Sequence, residues 1–284
     1  MSAPPEDRPV TTIRPRVDES EAPAAASMVV GAYLRSLRRA RGMTLHDAAW
    51  VIRGSASKIS RLETCVSPQR DPDVAGLLRH YKIGPPAIRA TCEMVRAPRR
   101  DQWADAAPGW PARLAASYQE ATAVRVFTMY LIPDILQIPA YASLIPDPEG
   151  ARADARALPP GHADITLLLD ESVLQRPFGA SAVVAAQIAH LQERAAAGDI
   201  RVLVVPLSAG IFASSGLLAE LTLYGNELYA DESGMAVYST GEQGLVRRGI
   251  LDAALAAAVS AERSAEMLEE ARVRFEQLAE RLAT

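Results

Sequence analysis

The chain has little cysteine and little histidine. Two cysteines among 284 residues, Cys65 and Cys92, are too few for a disulfide scaffold. They form no C-x-x-C pair and read as buried or incidental thiols. His46, His80, His162 and His190 are scattered, with no His-Glu-x-x-His spacing, so no metal site is expected. Long apolar runs are absent too. The longest uncharged stretch, Val202–Ala219, holds Pro206, Gly210 and Gly216 and reads as no membrane helix. The opening MSAPPEDRPV is polar and has no apolar signal core. These absences lead to the expectation of a soluble cytoplasmic protein. Catalytic frames are missing as well: there is no G-x-S-x-G, no recognisable carboxylate pair and no Cys/His nucleophile signature. The Gly/Ser-rich stretch Gly210–Gly216 lacks the lysine of a phosphate loop. Neither an enzyme nor a cofactor is expected.

Charge is plentiful and segregated. The formal net charge is only −4. Residues 1–27 carry 3 basic and 5 acidic side chains, residues 28–100 carry 14 and 5, and residues 101–284 carry 13 and 24. A basic quarter therefore sits beside an acidic body. That asymmetry implies an anionic partner for the first and a different task for the second.

Residues 1–27 hold five of the 20 prolines and many charges. They cannot bury enough apolar surface to offset ordering entropy, so a disordered tail is expected. From Met28 the apolar residues recur at helical spacing through Leu37, and Arg41-Gly42 ends that helix. Thr44 with Asp47 three residues on reads as a capping box for a short helix to about Ile52. Gly54 breaks it, and Ser55 caps a helix to about Thr64. Further helices cover about Asp71–Tyr81 and a stretch to Arg96. Residues 98–111 read as a linker, with Trp103 and Trp110 able to dock it.

Beyond the linker, strands and helices mix. Strands are predicted at Val124–Met129, Asp164–Leu169, Ile200–Leu207, Leu217–Tyr224, Glu227–Ala230 and Met235–Thr240. Pro133, Pro139 and Pro146 punctuate short helical pieces. Ser181–Ala197 reads as an amphipathic helix, and the chain is helical from about Gly244. On the last helix Met267, Ala271, Leu278 and Leu282 share a stripe, which is either core or a dimer seam. Asp170, Glu171, Arg176 and Pro177 could line a pocket, although such residues after a strand more often cap and pack.

Met43–Glu63, MTLHDAAWVIRGSASKISRLE, carries the most information. Two short helices about a tight glycine-containing turn follow helix-turn-helix logic. Ile59 and Leu62 would pack inward, which leaves Ser57, Lys58 and Arg61 on the outward face. Arg and Lys there can bond guanine edges, and hydroxyls can bond phosphate or base. Arg35, Arg38, Arg39 and Arg41 are candidate phosphate contacts, and Glu63 reads as a structural partner. The candidate DNA-binding residues are Ser55, Ala56, Ser57, Lys58, Arg61, Arg35, Arg38 and Thr44. On this reading Arg38→Ala would weaken binding to all sequences alike and lower the salt slope by about 1.

The stretch VVGAYLRSLRRARGMTLHDAAWVIRGSASKISRLET resembles the Xre, phage-repressor-like, helix-turn-helix family, with SKISRLE as its most specific part. IPDILQIPAYA, LDESVLQRPFG, VPLSAG and VSAERS resemble the C-terminal domain of actinobacterial antitoxin-like regulators that include the WhiJ type. The two resemblances cover about Val29–Ala271. They imply a DNA-binding transcriptional regulator whose C-terminal half serves regulation, with a small cognate partner protein. Departures are visible. Leu45 stands where relatives have a phosphate-binding Gln. Arg53-Gly54 replaces Gly followed by an aliphatic residue, Cys65 replaces a Gly, and Pro133–Ile138 reads PDILQI in place of PGLLQT.

The expected architecture is multidomain. An all-α helix-turn-helix domain at 28–97 precedes an α+β regulatory domain at 112–284. The expected partner is double-stranded DNA, read by a homodimer because one recognition helix reads only a few base pairs. Two rival readings stand beside it: an interaction protein that holds a small partner on its acidic body, and a small-molecule sensor.

Overall fold

The computed structural model describes residues 23–145, 158, 161–176, 178–214 and 216–283. The expected disorder of residues 1–22, and Pro146 and Pro177, lie outside the described residues.

Five helices build the N-terminal region: α1 (Ala25–Ala40), α2 (Leu45–Val51), α3 (Ala56–Glu63), α4 (Asp71–His80) and α5 (Pro85–Arg96). Residues 25–27, expected in the tail, belong to α1. Ala25 and Ala26 are helical and buried, because small apolar residues continue the packed face of α1 toward its N-terminus. Prolines at the first turns of α4 and α5 occupy positions whose amides have no intrahelical partner anyway. Met28, Val29, Ala32, Leu34, Ile59, Val74, Leu77 and Leu78 fill the space between these helices. Each large one contributes about 1.5–3 kcal/mol by leaving water.

A seven-stranded mixed sheet follows, built from β1 (Gln102–Asp105), β2 (Ala123–Thr128), β3 (Asp164–Asp170), β4 (Ile200–Val205), β5 (Leu217–Leu223), β6 (Asn226–Glu232) and β7 (Ala236–Ser239). Its order is β1-β7-β6-β5-β2-β3-β4. β2, β3 and β4 run parallel, and the remaining pairings are antiparallel. The parallel strands are buried on both faces, which is why they read as unbroken Val/Ile/Leu runs. On one face Val124, Val126, Ile165, Leu167, Val202 and Val204 join the main core. On the other, Phe127, Leu168, Leu203 and Val205 pack with Leu251 and Ala254. Those two belong to α10 (Gly241–Ala257). The period-2 alternation of strand side chains sorts the residues between the two faces.

Besides α10, five more α-helices are present among the described residues, the first four being α6 (Trp110–Glu120), α7 (Pro139–Ala142), α8 (Glu171–Gln175) and α9 (Ser181–Ala196). The last is α11 (Ala261–Ala283), which packs beside α9. Its buried face is Ser264, Leu268, Ala271 and Phe275, whereas Leu282 is exposed. Of the expected stripe, Ala271 lies in the core and Met267 packs against it, whereas the core face continues through Leu268 and Phe275 rather than to Leu282. The break before α11 docks the exposed edge of the sheet. The Val259 amide donates to the Val204 carbonyl at 2.9 Å, and the Val204 amide donates to Ser264 Oγ at 2.9 Å. Ladder groups that an edge strand would otherwise leave unpaired are satisfied there. Asp170 caps α8 through the Ser172 amide, and Glu171 accepts from the Leu207 amide, so both serve the strand-to-helix turn.

The stretch read as a linker is a structural element. β1 pairs antiparallel with β7, and Asp105 at its end meets Arg113 of α6 in a fully buried bidentate ion pair with both contacts at 2.7 Å. Arg113 also donates to Thr91 of α5 and to the carbonyls of Ala107 and Pro108. One guanidinium therefore ties the helical region to the sheet. Composition alone hid this strand, because four residues at a sheet edge carry almost no periodicity. α1 lies against α6, and one continuous core runs from α1 through the sheet to α11.

Candidate nucleic-acid interface

The helix-turn-helix unit is assembled by its caps. Asp47 N donates to Thr44 Oγ1 at 3.2 Å, while Thr44 N and Oγ1 both donate to Asp47 Oδ2, at 2.8 and 2.7 Å. This capping box starts α2 and holds the Asp47 carboxyl below its ordinary range through the Thr44 hydroxyl and amide. α3 starts where Ser55 Oγ accepts from Lys58 N at 3.1 Å. Between the helices Arg53 takes a left-handed φ of 50°, and the Gly54 amide closes onto the Ala49 carbonyl at 2.9 Å. A left-handed φ favours glycine, so a non-glycine residue here closes the turn at the cost of local strain in Arg53. Cys65 holds the matching position after α3, with φ 61° and its thiol donating to the Ser27 carbonyl. Burial pushes the Cys65 and Cys92 thiols up to about 12, so neither forms a thiolate near neutrality.

Ile59 and Leu62 point into the core, and Ser55, Ser57 and Arg61 are exposed on the opposite face of α3. Ala56 is half-buried beside them. Arg61 has no ion-pair partner among the described residues. Thr44 is exposed at the start of α2, its hydroxyl engaged in the cap. Leu45 packs partly against the core. Lys58 departs from the open face: its Nζ lies 2.7 Å from Asp73 Oδ2 on α4.

The arginines of α1 are placed differently from expectation. Arg38 is only 9% exposed and grips Glu63 with Nε–Oε1 at 2.7 Å and Nη2–Oε2 at 2.8 Å. Its Nη1 donates to the Met43 carbonyl at 2.9 Å. The structure thus places this guanidinium against Glu63 and the Met43 carbonyl, where the expected phosphate contact would have set it on the open face. Arg35 pairs with Glu120 Oε2 at 3.0 Å and lies over the Tyr224 ring at 5.3 Å. Arg39 reaches the same carboxylate at 3.2 Å. Arg41 donates to the Leu37 and Tyr81 carbonyls and stacks on Tyr81. Burial raises the Glu120 carboxyl above its ordinary value, with Arg39 and Arg35 opposing that shift. The sequence signalled Glu63 as a partner but held no sign of Glu120 or Asp73, which come from other elements. Among the described residues, no group of three or more His, Cys, Asp or Glu side chains could hold a metal ion. No described helix is long and apolar enough to cross a membrane.

A capped two-helix unit with an open, hydroxyl- and guanidinium-bearing face, fused to a mixed-sheet domain, defines a helix-turn-helix protein. Residues 29–91 match a helix-turn-helix domain family. Residues 111–270, more than half of the chain, match the family described as a domain of unknown function (DUF5753), and the chain belongs to that family. No curated protein and no solved structure matches it. The helix-turn-helix domain points to DNA binding and to a non-enzymatic regulator.

Proposed function

We propose that this protein is a sequence-specific transcriptional regulator of the Xre type, with α3 seated in the major groove of double-stranded DNA and activity controlled through the C-terminal domain. The observation that carries the reading is the exposed face of α3. Ser57 and Arg61 stand there beside Ala56, on a helix whose inward side is locked by Ile59 and Leu62. Arg61 is the base reader, suited to the O6 and N7 acceptors of guanine. Ser55 and Thr44, at exposed helix N-termini, face the phosphates.

Control from the C-terminal domain is supported by the contact between the two regions. Arg35 and Arg39 share Glu120, and Ser36 Oγ donates to Gln119 Oε1 at 2.7 Å. A ligand, or a small partner protein on the acidic body, that shifts α6 would shift α1 with it. A homodimer would double the readout at half-sites about one helical turn apart. Such a protein works in the cytoplasm, at the nucleoid.

The test is in-cell crosslinking with sequencing of bound DNA, comparing wild type with Arg61→Ala. Sharp wild-type sites that lose about 1–3 kcal/mol of discrimination at one base position in the variant are expected. Diffuse binding by both proteins would refute the reading.

A further inference from the structure

Lys58 lies in the first turn of α3, where a free ammonium would be drawn to the DNA backbone. The fold takes it elsewhere. Asp73, in the first turn of α4, holds Lys58 Nζ at 2.7 Å, and the Asp73 side chain is 15% exposed against 37% for Lys58. The lysine stem lies across the turn: a Cβ added at Gly54 would meet Lys58 Cδ at 3.2 Å and two Ile52 carbons at 3.4 Å. Gly54 has no left-handed φ to require glycine. What it supplies is room for the stem. A missing side chain at 54, a carboxylate at 73 and a lysine at 58 thus form one arrangement across three elements.

We propose that Asp73 is a positioning residue for DNA reading: it retains the Lys58 ammonium on the protein, so that sequence choice rests with Ser57 and Arg61. The inference rests on the reading of α3 as the recognition helix. A long flexible cation beside the groove binds any phosphate and adds affinity without sequence choice. Tethering it removes that indiscriminate contact and fixes α3 against α4.

The experiment measures binding of the full-length protein to its own crosslinking-derived site and to a scrambled duplex, across a salt series. Asp73→Asn frees Lys58. Its salt slope should steepen by about 1, for one more phosphate neutralised. The ratio of specific to scrambled binding should fall about tenfold, within the range of one lost base-pair preference. Adding Lys58→Met should restore the wild-type slope and ratio. Lys58→Met alone should leave the slope unchanged, which keeps the test decisive if Asp73→Asn fails to fold. A lowered melting temperature with unchanged slope and ratio in Asp73→Asn would overturn the proposal and leave a merely structural pair. A slope reduced by about 1 in Lys58→Met would also overturn it, since Lys58 would then be a phosphate contact. In both cases wild type still selects its site. Loss of site selection by wild type itself would remove the function reading and this inference together.

Discussion

α1 and α3 both carry cations in the basic quarter of the chain, yet they use them in opposite ways. On α1, Arg35, Arg38 and Arg39 are all committed to carboxylates: Glu120 takes two and Glu63 takes one. On α3, Lys58 is committed to Asp73 and Arg61 is left open. The lesson is that a net charge of one sign counts side chains, whereas a nucleic acid meets only those without a partner. A segment with 14 basic and 5 acidic residues offers fewer cations than that difference implies. Three of its own acids, Glu63, Asp71 and Asp73, are placed against particular bases, and Glu120 of α6 is added.

The strongest way to break this contrast is Arg38→Ala. If α1 is structural, the variant leaves Glu63 buried without a partner and should lose about 3–5 kcal/mol of stability, seen in urea melts. Its salt slope for DNA should not change. A slope lowered by about 1 with intact stability would return Arg38 to the phosphate contacts.

Gly31→Ala tests the same seam from the backbone side. The added Cβ would lie 2.5 Å from the Glu63 carbonyl oxygen, so α1 must move off the end of α3. A loss of about 1–3 kcal/mol in melting experiments is expected, and an unchanged stability would contradict the close approach.

Glu120 sharpens the contrast through pH. Burial raises its pKa, so the folded state holds the proton more tightly than the unfolded chain. Its contribution is full below the unfolded value and is lost as pH rises through the folded one. Wild-type stability relative to Glu120→Gln should therefore decline from about pH 4.3 toward neutrality. A difference that grows with pH would mean that Arg35 and Arg39, rather than burial, dominate the group.

The smallest effect is expected at the turn. Arg53→Gly removes the left-handed penalty of about 1–2 kcal/mol and adds unfolded-state entropy of about 0.4–1. A net gain between zero and about 1.6 kcal/mol follows, with α3 presented unchanged. A loss of stability would show that the Arg53 side chain contributes contacts of its own.

Local chemistry was legible in the sequence wherever neighbours in the chain are neighbours in space. Thr44 with Asp47, Ser55 before α3, and the inward pair Ile59 and Leu62 depend on residues three or four apart. The parallel strands announced themselves by continuous Val, Ile and Leu, because both their faces are covered. The edge strand β1 was not legible, since its four residues are held by β7, more than a hundred positions away. The stripe on α11 was legible in part, through Met267 and Ala271, while Ser264, Leu268 and Phe275 are buried by what α9 and β4 present.

A basic helix-turn-helix unit ahead of an acidic α+β domain, with Ile59 and Leu62 on the inner face of α3, could be read from the sequence alone. Composition and short-range periodicity carry that much, because caps, turns and helix faces are set within a few residues. Which cations remain available, and that the two regions share one core, were set by long-range packing. Ion pairing and burial join residues such as Arg38 and Glu63, Lys58 and Asp73, or Arg35 and Glu120, whose separation along the chain carries no periodic signal.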